Sequence, residues 1–204
     1  MDRVDRVPNF ATHHHHGERR PFLTLSDLPE DQLELMLATL SEPAEREVSA
    51  RRFGPRYMAL RRATETCLRE HFIAGGGAPQ RGAPHYFVLG ESPWFAGLYL
   101  EGGSVCLPLS ALPPEVTSFT WADSITTMGQ GIRLGLPAPV TELAGRVFRL
   151  DELDEVTSRY GLPAAAVAPG ALGGYDGHQQ RPVDDYVEIQ LWSDEPVLTH
   201  LGGQ

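Results

Sequence analysis

The sequence contains no lysine, since all 17 of its basic residues are arginine. Chemistry that depends on a lysine amine, such as Schiff-base formation or the lysine of a nucleotide-binding P-loop, is therefore excluded. Cysteine is scarce as well, and Cys67 and Cys106 are the 2 cysteines of the chain. Because they do not form a Cys-x-x-Cys pair, we expect two reduced thiols and neither a zinc site of that kind nor a disulfide framework.

Long apolar runs are also missing. No stretch approaches the roughly 18 consecutive apolar residues of a transmembrane helix, and the first residues are polar where a secretion signal needs an apolar run. These absences predict a cytoplasmic protein with no membrane partner. The length of 204 residues, with 41% hydrophobic and 22% charged residues, fits one globular domain and a short arm.

The charge is strongly acidic overall but unevenly placed. A net charge of −10 opposes general binding of nucleic acids, which requires many cations to neutralise phosphates. Within residues 46–69, however, there are two acids and these seven arginines: Arg46, Arg51, Arg52, Arg56, Arg61, Arg62 and Arg69. The segment is either a solvated helix face with ion pairs along the helix or a basic surface for a protein partner.

Residues 1–21 show no usable periodicity, so we expect a disordered arm there and a single domain over residues 22–204. The arm contains four consecutive histidines, His13 to His16. A short histidine tract can bind Zn²⁺ or Ni²⁺ weakly, but without a fixed set of partners it is more often incidental.

The remaining pattern is a helical third followed by strands. Asp27 and Glu30 form a capping box that predicts a helix from about Leu28, and a longer helix is predicted over residues 55–74 and ends at three glycines. Strand-like segments follow at residues 85–89, 105–109, 116–121, 146–150 and 186–192. This order predicts an α+β fold, with the N-terminal helices packed on one mostly antiparallel, twisted sheet.

The last predicted strand carries the most suggestive polar residues. Alternation places Val187, Ile189 and Leu191 on one face, and Tyr186, Glu188, Gln190 and Trp192 on the other. The second face is either a cleft wall, in which partial desolvation makes Glu188 reactive, or an exposed face of cross-strand aromatic pairs. His85 begins an apolar strand and is either a satisfied structural histidine or part of a pocket near the strand end.

Three segments also occur in a suggestive order along the chain. They are residues 84–87 (Pro-His-Tyr-Phe) with residues 92–97, residues 118–124 (Ser-Phe-Thr-Trp-Ala-Asp-Ser), and residues 178–181 (His-Gln-Gln-Arg) before Tyr186-Val-Glu188. In this order residues 84–200 resemble the DarT-like ADP-ribosyltransferase toxins. Those proteins combine an early strand with a Tyr-His or similar pair, an aromatic strand with a polar turn, and a mobile loop leading to a strand with the catalytic Glu.

The resemblance implies that NAD is the substrate. His85 would hold the nicotinamide ribose, and Glu188 would stabilise the oxocarbenium-like sugar and orient the nucleophile. Ser92, Ser118 and Arg181 would complete the contacts to NAD, and the long loop at residues 169–182 would act as a lid.

The sequence thus supports two functional hypotheses. In the first, the protein is an NAD-consuming ADP-ribosyltransferase with a nucleotide or macromolecular acceptor and Glu188 as its catalytic residue. In the second, it is a non-catalytic interaction or regulatory protein that binds its partner through residues 46–69 or through the Tyr/Trp face of the last strand.

Overall fold

The structure is a computed structural model that describes residues 7–49, 54–130, 132, 142–163 and 186–202. Arg51, Arg52, Arg181 and the predicted lid at residues 169–182 lie outside the described residues.

One antiparallel sheet organises the described part of the chain. Its 6 strands follow the order β3-β1-β2-β6-β4-β5. Their bounds are β1 Phe10–His16, β2 His85–Leu89, β3 Gly102–Pro108, β4 Thr117–Thr120, β5 Phe148–Arg149 and β6 Glu188–Leu191. Every recorded strand pair is antiparallel, which confirms the predicted α+β class. The apolar β2 lies inside the sheet, whereas β3, which ends at Pro108, lies at an edge as its proline requires.

The helices belong mainly to the N-terminal third and to the ends of strands. Their bounds are α1 Glu30–Leu40, α2 Pro43–Val48, α3 Pro55–Ala74, α4 Pro93–Ala96, α5 Ser124–Thr127, α6 Leu153–Tyr160 and α7 Glu195–Gly202. The predicted long helix over residues 55–74 is α3. It begins at a proline, whose missing N–H has no partner to lose at a helix start, and it ends before Gly75.

The two faces of the sheet have different coverings. On one face, Phe87, Phe119 and Ile189 are the centre of the main apolar core, which also includes residues of α6 and α7. On the other face, α3 packs Leu68 and Phe72 against Trp192. The second face of β6 is therefore buried beneath a helix, and Trp192 and Gln190 have no exposed surface. The exposed aromatic face that the sequence allowed is not present.

Residues 10–16 differ from the disordered arm expected at residues 1–21. They form β1, which pairs with β3 along all seven positions, from Phe10 opposite Pro108 to His16 opposite Gly102. The histidine tract is compatible with a strand because imidazoles pack as flat rings: the centroid of His13 lies 4.5 Å from that of Phe22. Polarity alone made these residues resemble an arm.

The predicted capping box is also different in the structure. Helix α1 begins at Glu30 after Pro29, and Pro29 makes no side-chain cap. Asp27 instead lies in a short 3₁₀ turn whose cap is Thr24, and its carboxylate forms an ion pair with Arg81. The Asp27 carboxylate therefore pairs with Arg81, 54 positions away along the chain, and does not cap α1 as the local spacing predicted.

Candidate functional site

Glu188 occupies the first position of β6, in the interior of the sheet. Its neighbours across the ladder are Val88 on β2 and Thr120 on β4. Residues directly opposite each other in an antiparallel pair share a face, so these three side chains lie on the side covered by α3. Glu188 is only 6% exposed.

A chain of buried hydrogen bonds orients the carboxylate of Glu188. The indole Nε1 of Trp192 donates to Ser118 Oγ over 2.8 Å, and the Ser118 hydroxyl donates to Gln190 Oε1 over 2.8 Å. Gln190 Nε2 then donates to Glu188 Oε1 and to Thr120 Oγ1, each over 3.1 Å. Because an indole can only donate, the direction of the whole chain is set and leaves an amide N–H for the carboxylate.

Helix α3 places a cation and a second acid above the same face. Arg61 and Glu65 are one helical turn apart, and Arg61 Nε lies 3.0 Å from Glu65 Oε1. The Arg61 guanidinium carbon is 3.6 Å from the ring centroid of Tyr86, and the Tyr86 hydroxyl donates to Glu65 Oε1 over 3.2 Å. This arrangement combines a cation–π contact with a charge-assisted hydrogen bond.

The environment shifts the proton affinities of this group of side chains. Burial raises the pKa of Glu188, and the nearby charge of Arg61 partly opposes that rise. Burial also holds the pKa of Tyr86 well above its usual value, so its hydroxyl stays protonated and remains a donor. A carboxyl group with a raised pKa beside a fixed cation is typical of catalytic sites and of some structural ion networks.

Aromatic rings lie at one end of the site. The ring centroids of Phe95 and Tyr186 are 4.9 Å apart, and His14 stacks on Phe95 with centroids 6.0 Å apart. The Tyr186 hydroxyl lies 3.5 Å from Glu188 Oε2. These rings form an aromatic group next to Glu188, and aromatic faces of this kind are surfaces on which planar heterocycles stack.

The predicted site residues do not all meet. Ser118 belongs to the hydrogen-bond chain of Glu188. It is fully buried, so its side chain orients Gln190 and has no surface for the predicted contact to NAD. Ser92 caps α4, since its Oγ accepts a hydrogen bond from Phe95 N over 3.3 Å, and it thereby holds Phe95 in place. Arg181 lies outside the described residues.

His85 lies on the opposite face of the sheet from Glu188. It pairs with Leu191, whereas Glu188 pairs with Val88, three positions farther along β2. Its Nε2 is 2.8 Å from Asp194 Oδ1, and its ring lies edge-on to Phe22. Burial lowers the pKa of His85, with the hydrogen bond to Asp194 opposing the shift.

Comparison of the chain with protein-family models, with curated proteins and with solved structures gives no match.

The described residues contain no group of three or more His, Cys, Asp or Glu side chains that could hold a metal ion. Among the same residues, no helix has the length and apolar character needed to cross a membrane.

Several residues of the site were not predicted from the sequence to belong to it, namely His14, Arg61, Glu65 and Phe95. The spacing of Arg61 and Glu65 was visible, but seven arginines in one segment left open which of them faces the sheet. Treating residues 10–16 as a strand would have grouped His14 with Thr12 on one face. That this face is also the face of Glu188 depends on the register, in which Thr12 lies opposite Val88.

Proposed function

We propose that this protein is an NAD-consuming enzyme of the ADP-ribosyltransferase type, with Glu188 as its catalytic carboxylate. The observation that carries the proposal is a buried, oriented glutamate beside Arg61 and next to a group of aromatic rings. The proposal also rests on the resemblance of residues 84–200 to the DarT-like transferases.

In the proposed reaction, the bond between the ribose C1′ and the nicotinamide nitrogen breaks, and nicotinamide leaves with the bonding electrons. Positive charge develops on the ribose ring, and the carboxylate of Glu188 stabilises that charge. An acceptor hydroxyl, amine or water then bonds to C1′, and its proton passes to the Glu188 carboxylate or to solvent.

The remaining groups support this step without reacting. Phe95 and Tyr186 offer rings against which the nicotinamide stacks, and the Gln190 amide keeps the carboxylate in one orientation. His14 lies on the face of Glu188 and takes the ribose-contacting role that the sequence analysis gave to His85. In this proposal His85 contributes to the fold through Asp194.

The test follows release of nicotinamide by mass spectrometry, after purified protein is incubated with NAD and with oligonucleotide or protein acceptors. Glu188→Gln keeps the size of the side chain and one oxygen that accepts from Gln190 Nε2, but it removes the charge, and it should lower turnover by roughly 100-fold or more. Glu101→Gln, at an exposed carboxylate before β3, is the matched control and should be unchanged. Equal turnover by Glu188→Gln and the native protein would refute the assignment.

A second candidate function is non-catalytic binding of a protein partner. The structure leaves less room for a partner at both predicted surfaces. On the Tyr/Trp face of the last strand, Trp192 is fully buried. In residues 46–69, Arg62 bonds to Glu30 and Leu28 O, and Arg69 bonds to the carbonyls of Pro79 and Arg81. The apolar side chains available to a partner include Leu23 and Leu35, which are 73% and 72% exposed. Under this hypothesis Leu35→Glu weakens binding to the partner, whereas Glu188→Gln leaves it unchanged.

A further inference from the structure

Glu65 is a buried acid that three separate elements hold through one oxygen. Its Oε1 accepts from Ser26 Oγ over 3.0 Å, from Arg61 Nε over 3.0 Å and from the Tyr86 hydroxyl over 3.2 Å. The side chain is only 4% exposed. Burial of a carboxylate is unfavourable unless it is paired and hydrogen-bonded, and here the donors come from the 3₁₀ turn, from α3 and from β2.

Arg61 is held by Glu65 and Tyr86 but does not pair directly with Glu188. Its Nε bonds to Glu65, and its guanidinium plane lies on the Tyr86 ring. The described residues show no hydrogen bond from its two Nη groups and no ion pair of Arg61 with Glu188. The charge of Arg61 nevertheless acts on Glu188 through space.

We propose that Glu65 is a positioning residue for the site of Glu188: it anchors Arg61 over Tyr86 and so prevents Arg61 from neutralising the Glu188 carboxylate. The inference rests on the proposed function, because a carboxylate already paired with a guanidinium has less charge to offer the sugar in the transition state. Glu65 itself touches neither the substrate nor the reacting atoms in this scheme.

The charged and titratable groups around Glu188 make the consequence of losing Glu65 predictable. They are Arg61 and Glu65 from α3, Tyr86 from β2, Tyr186 next to its own strand, and Asp123 before α5. Arg61 is the cation among them. Among the described residues the buried carboxylates are Glu65 and Glu188. Without the negative charge of Glu65, Glu188 is the buried carboxylate left to pair with Arg61, and a direct pair would favour the ionised form of Glu188.

The test is a ¹³C NMR titration of the Glu188 carboxyl carbon, assigned with Glu188→Gln, in the native protein and in variants. Glu65→Gln should move the midpoint of Glu188 to lower pH, and Arg61→Gln should move it to higher pH. The double variant should lose the downward shift that Glu65→Gln causes alone. Tyr86→Phe, which keeps the ring beneath Arg61 and the charge of Glu65, is the control and should shift the midpoint least.

Turnover of NAD provides the second readout. Glu65→Gln should lower kcat by roughly 10- to 100-fold with little change in KM. If Glu65→Gln does not fold, Glu65→Asp keeps the charge but shortens the side chain, and it should shift the Glu188 midpoint in the same direction by less. An unchanged or higher midpoint in a folded Glu65 variant would overturn the positioning role. The titration does not depend on turnover. If the native protein is inactive on NAD but the Glu188 midpoints shift as predicted, the proposed function is refuted and the positioning role of Glu65 stands.

Discussion

At the scale of single residues, backbone strain is found close to the candidate site. Ala122 has a φ of 134°, a conformation that residues with a Cβ rarely adopt. Its carbonyl accepts from Thr120 Oγ1 over 2.8 Å, and Asp123 next to it caps α5. Strain of this kind persists where surrounding contacts require it, and here it directs the chain from β4 into the turn that faces Glu188.

Ala122→Gly should therefore stabilise the protein. Glycine adopts this φ without strain, and although it also increases the freedom of the unfolded chain, we expect a net gain of about 0.5 to 1 kcal/mol, or ~2 °C in Tm. Thermal unfolding followed by circular dichroism measures the change. Ala63→Gly, at an exposed position within α3, is the control and should destabilise by about 1 kcal/mol. A lower Tm for Ala122→Gly would show that the position is not strained.

The residues of the site were only partly predictable. Alternation correctly placed Glu188, Gln190 and Trp192 on one face of the last strand, where one chain of hydrogen bonds joins them. The covering of that face by α3 could not be read from sequence, because the helix that packs there begins 133 positions earlier, at Pro55. Long-range packing also decides that His85 faces away from Glu188, since this depends on the register between β2 and β6.

At the scale of elements, β1 shows how far local polarity can mislead. Ala11 on this strand has no exposed surface and packs in the main core. The predicted helices and the strands after residue 84 had clear periodicity, whereas four successive histidines conceal the alternation of a strand. The strand forms because its backbone completes two ladders, with β3 and with β2.

Ala11→Asp tests whether β1 belongs to the folded core. A carboxylate at this position has no partner in the apolar cluster, so we expect a loss of about 3 kcal/mol or more, or failure to fold. Ala38→Asp, on the exposed side of α1, should change stability by about 0.5 kcal/mol at most. Chemical denaturation of both variants gives the comparison. If residues 10–16 were an arm in solution, Ala11→Asp would be as silent as its control.

The same strand should make stability depend on pH. His13 Nδ1 donates to Tyr86 O over 2.9 Å and its Nε2 accepts from Phe22 N, so its two nitrogens require the neutral ring. Burial lowers the pKa of His13 to about 4, and burial likewise lowers that of His14 to about 4. The unfolded chain, with a histidine pKa near 6.5, binds more protons than the folded chain between these values.

Stability should therefore fall as the pH decreases from about 6.5 to about 4, by on the order of 2 kcal/mol or more for the two histidines together. Urea unfolding across this range measures the slope. His14→Phe removes one titrating ring and keeps an aromatic partner for Phe95, so its stability should depend less steeply on pH. If stability depends on pH as steeply in His14→Phe as in the native protein, His14 does not contribute to the loss of stability at low pH.

At the scale of the whole molecule, one cationic side chain ties together segments that are far apart in sequence. Arg81 forms ion pairs with Asp27 and Asp194 and donates to the carbonyl of Ala83 over 2.9 Å. Asp194 Oδ1 also lies 2.8 Å from His85 Nε2. The cluster of Asp27, Arg81, His85 and Asp194 thus joins the turn before α1, the start of β2 and the start of α7. The cluster lies away from Glu188, because His85 belongs to the opposite face of the sheet.

Arg81→Gln should thus reduce stability without changing the chemistry of the site. Arg81 is 14% exposed, whereas Asp27 and Asp194 are 45% and 52% exposed and remain hydrated without their cation, so we expect a cost of about 1 kcal/mol, mainly from the hydrogen bonds of the guanidinium. Arg149→Gln, which breaks an ion pair whose members are 32% and 49% exposed, is the control and should cost less than about 0.5 kcal/mol. Denaturation gives both values, and the turnover per folded molecule of Arg81→Gln, together with the Glu188 titration, should match the native protein. A shifted Glu188 midpoint in folded Arg81→Gln would show that the two faces of the sheet are coupled, and His85 would then regain a role in the site.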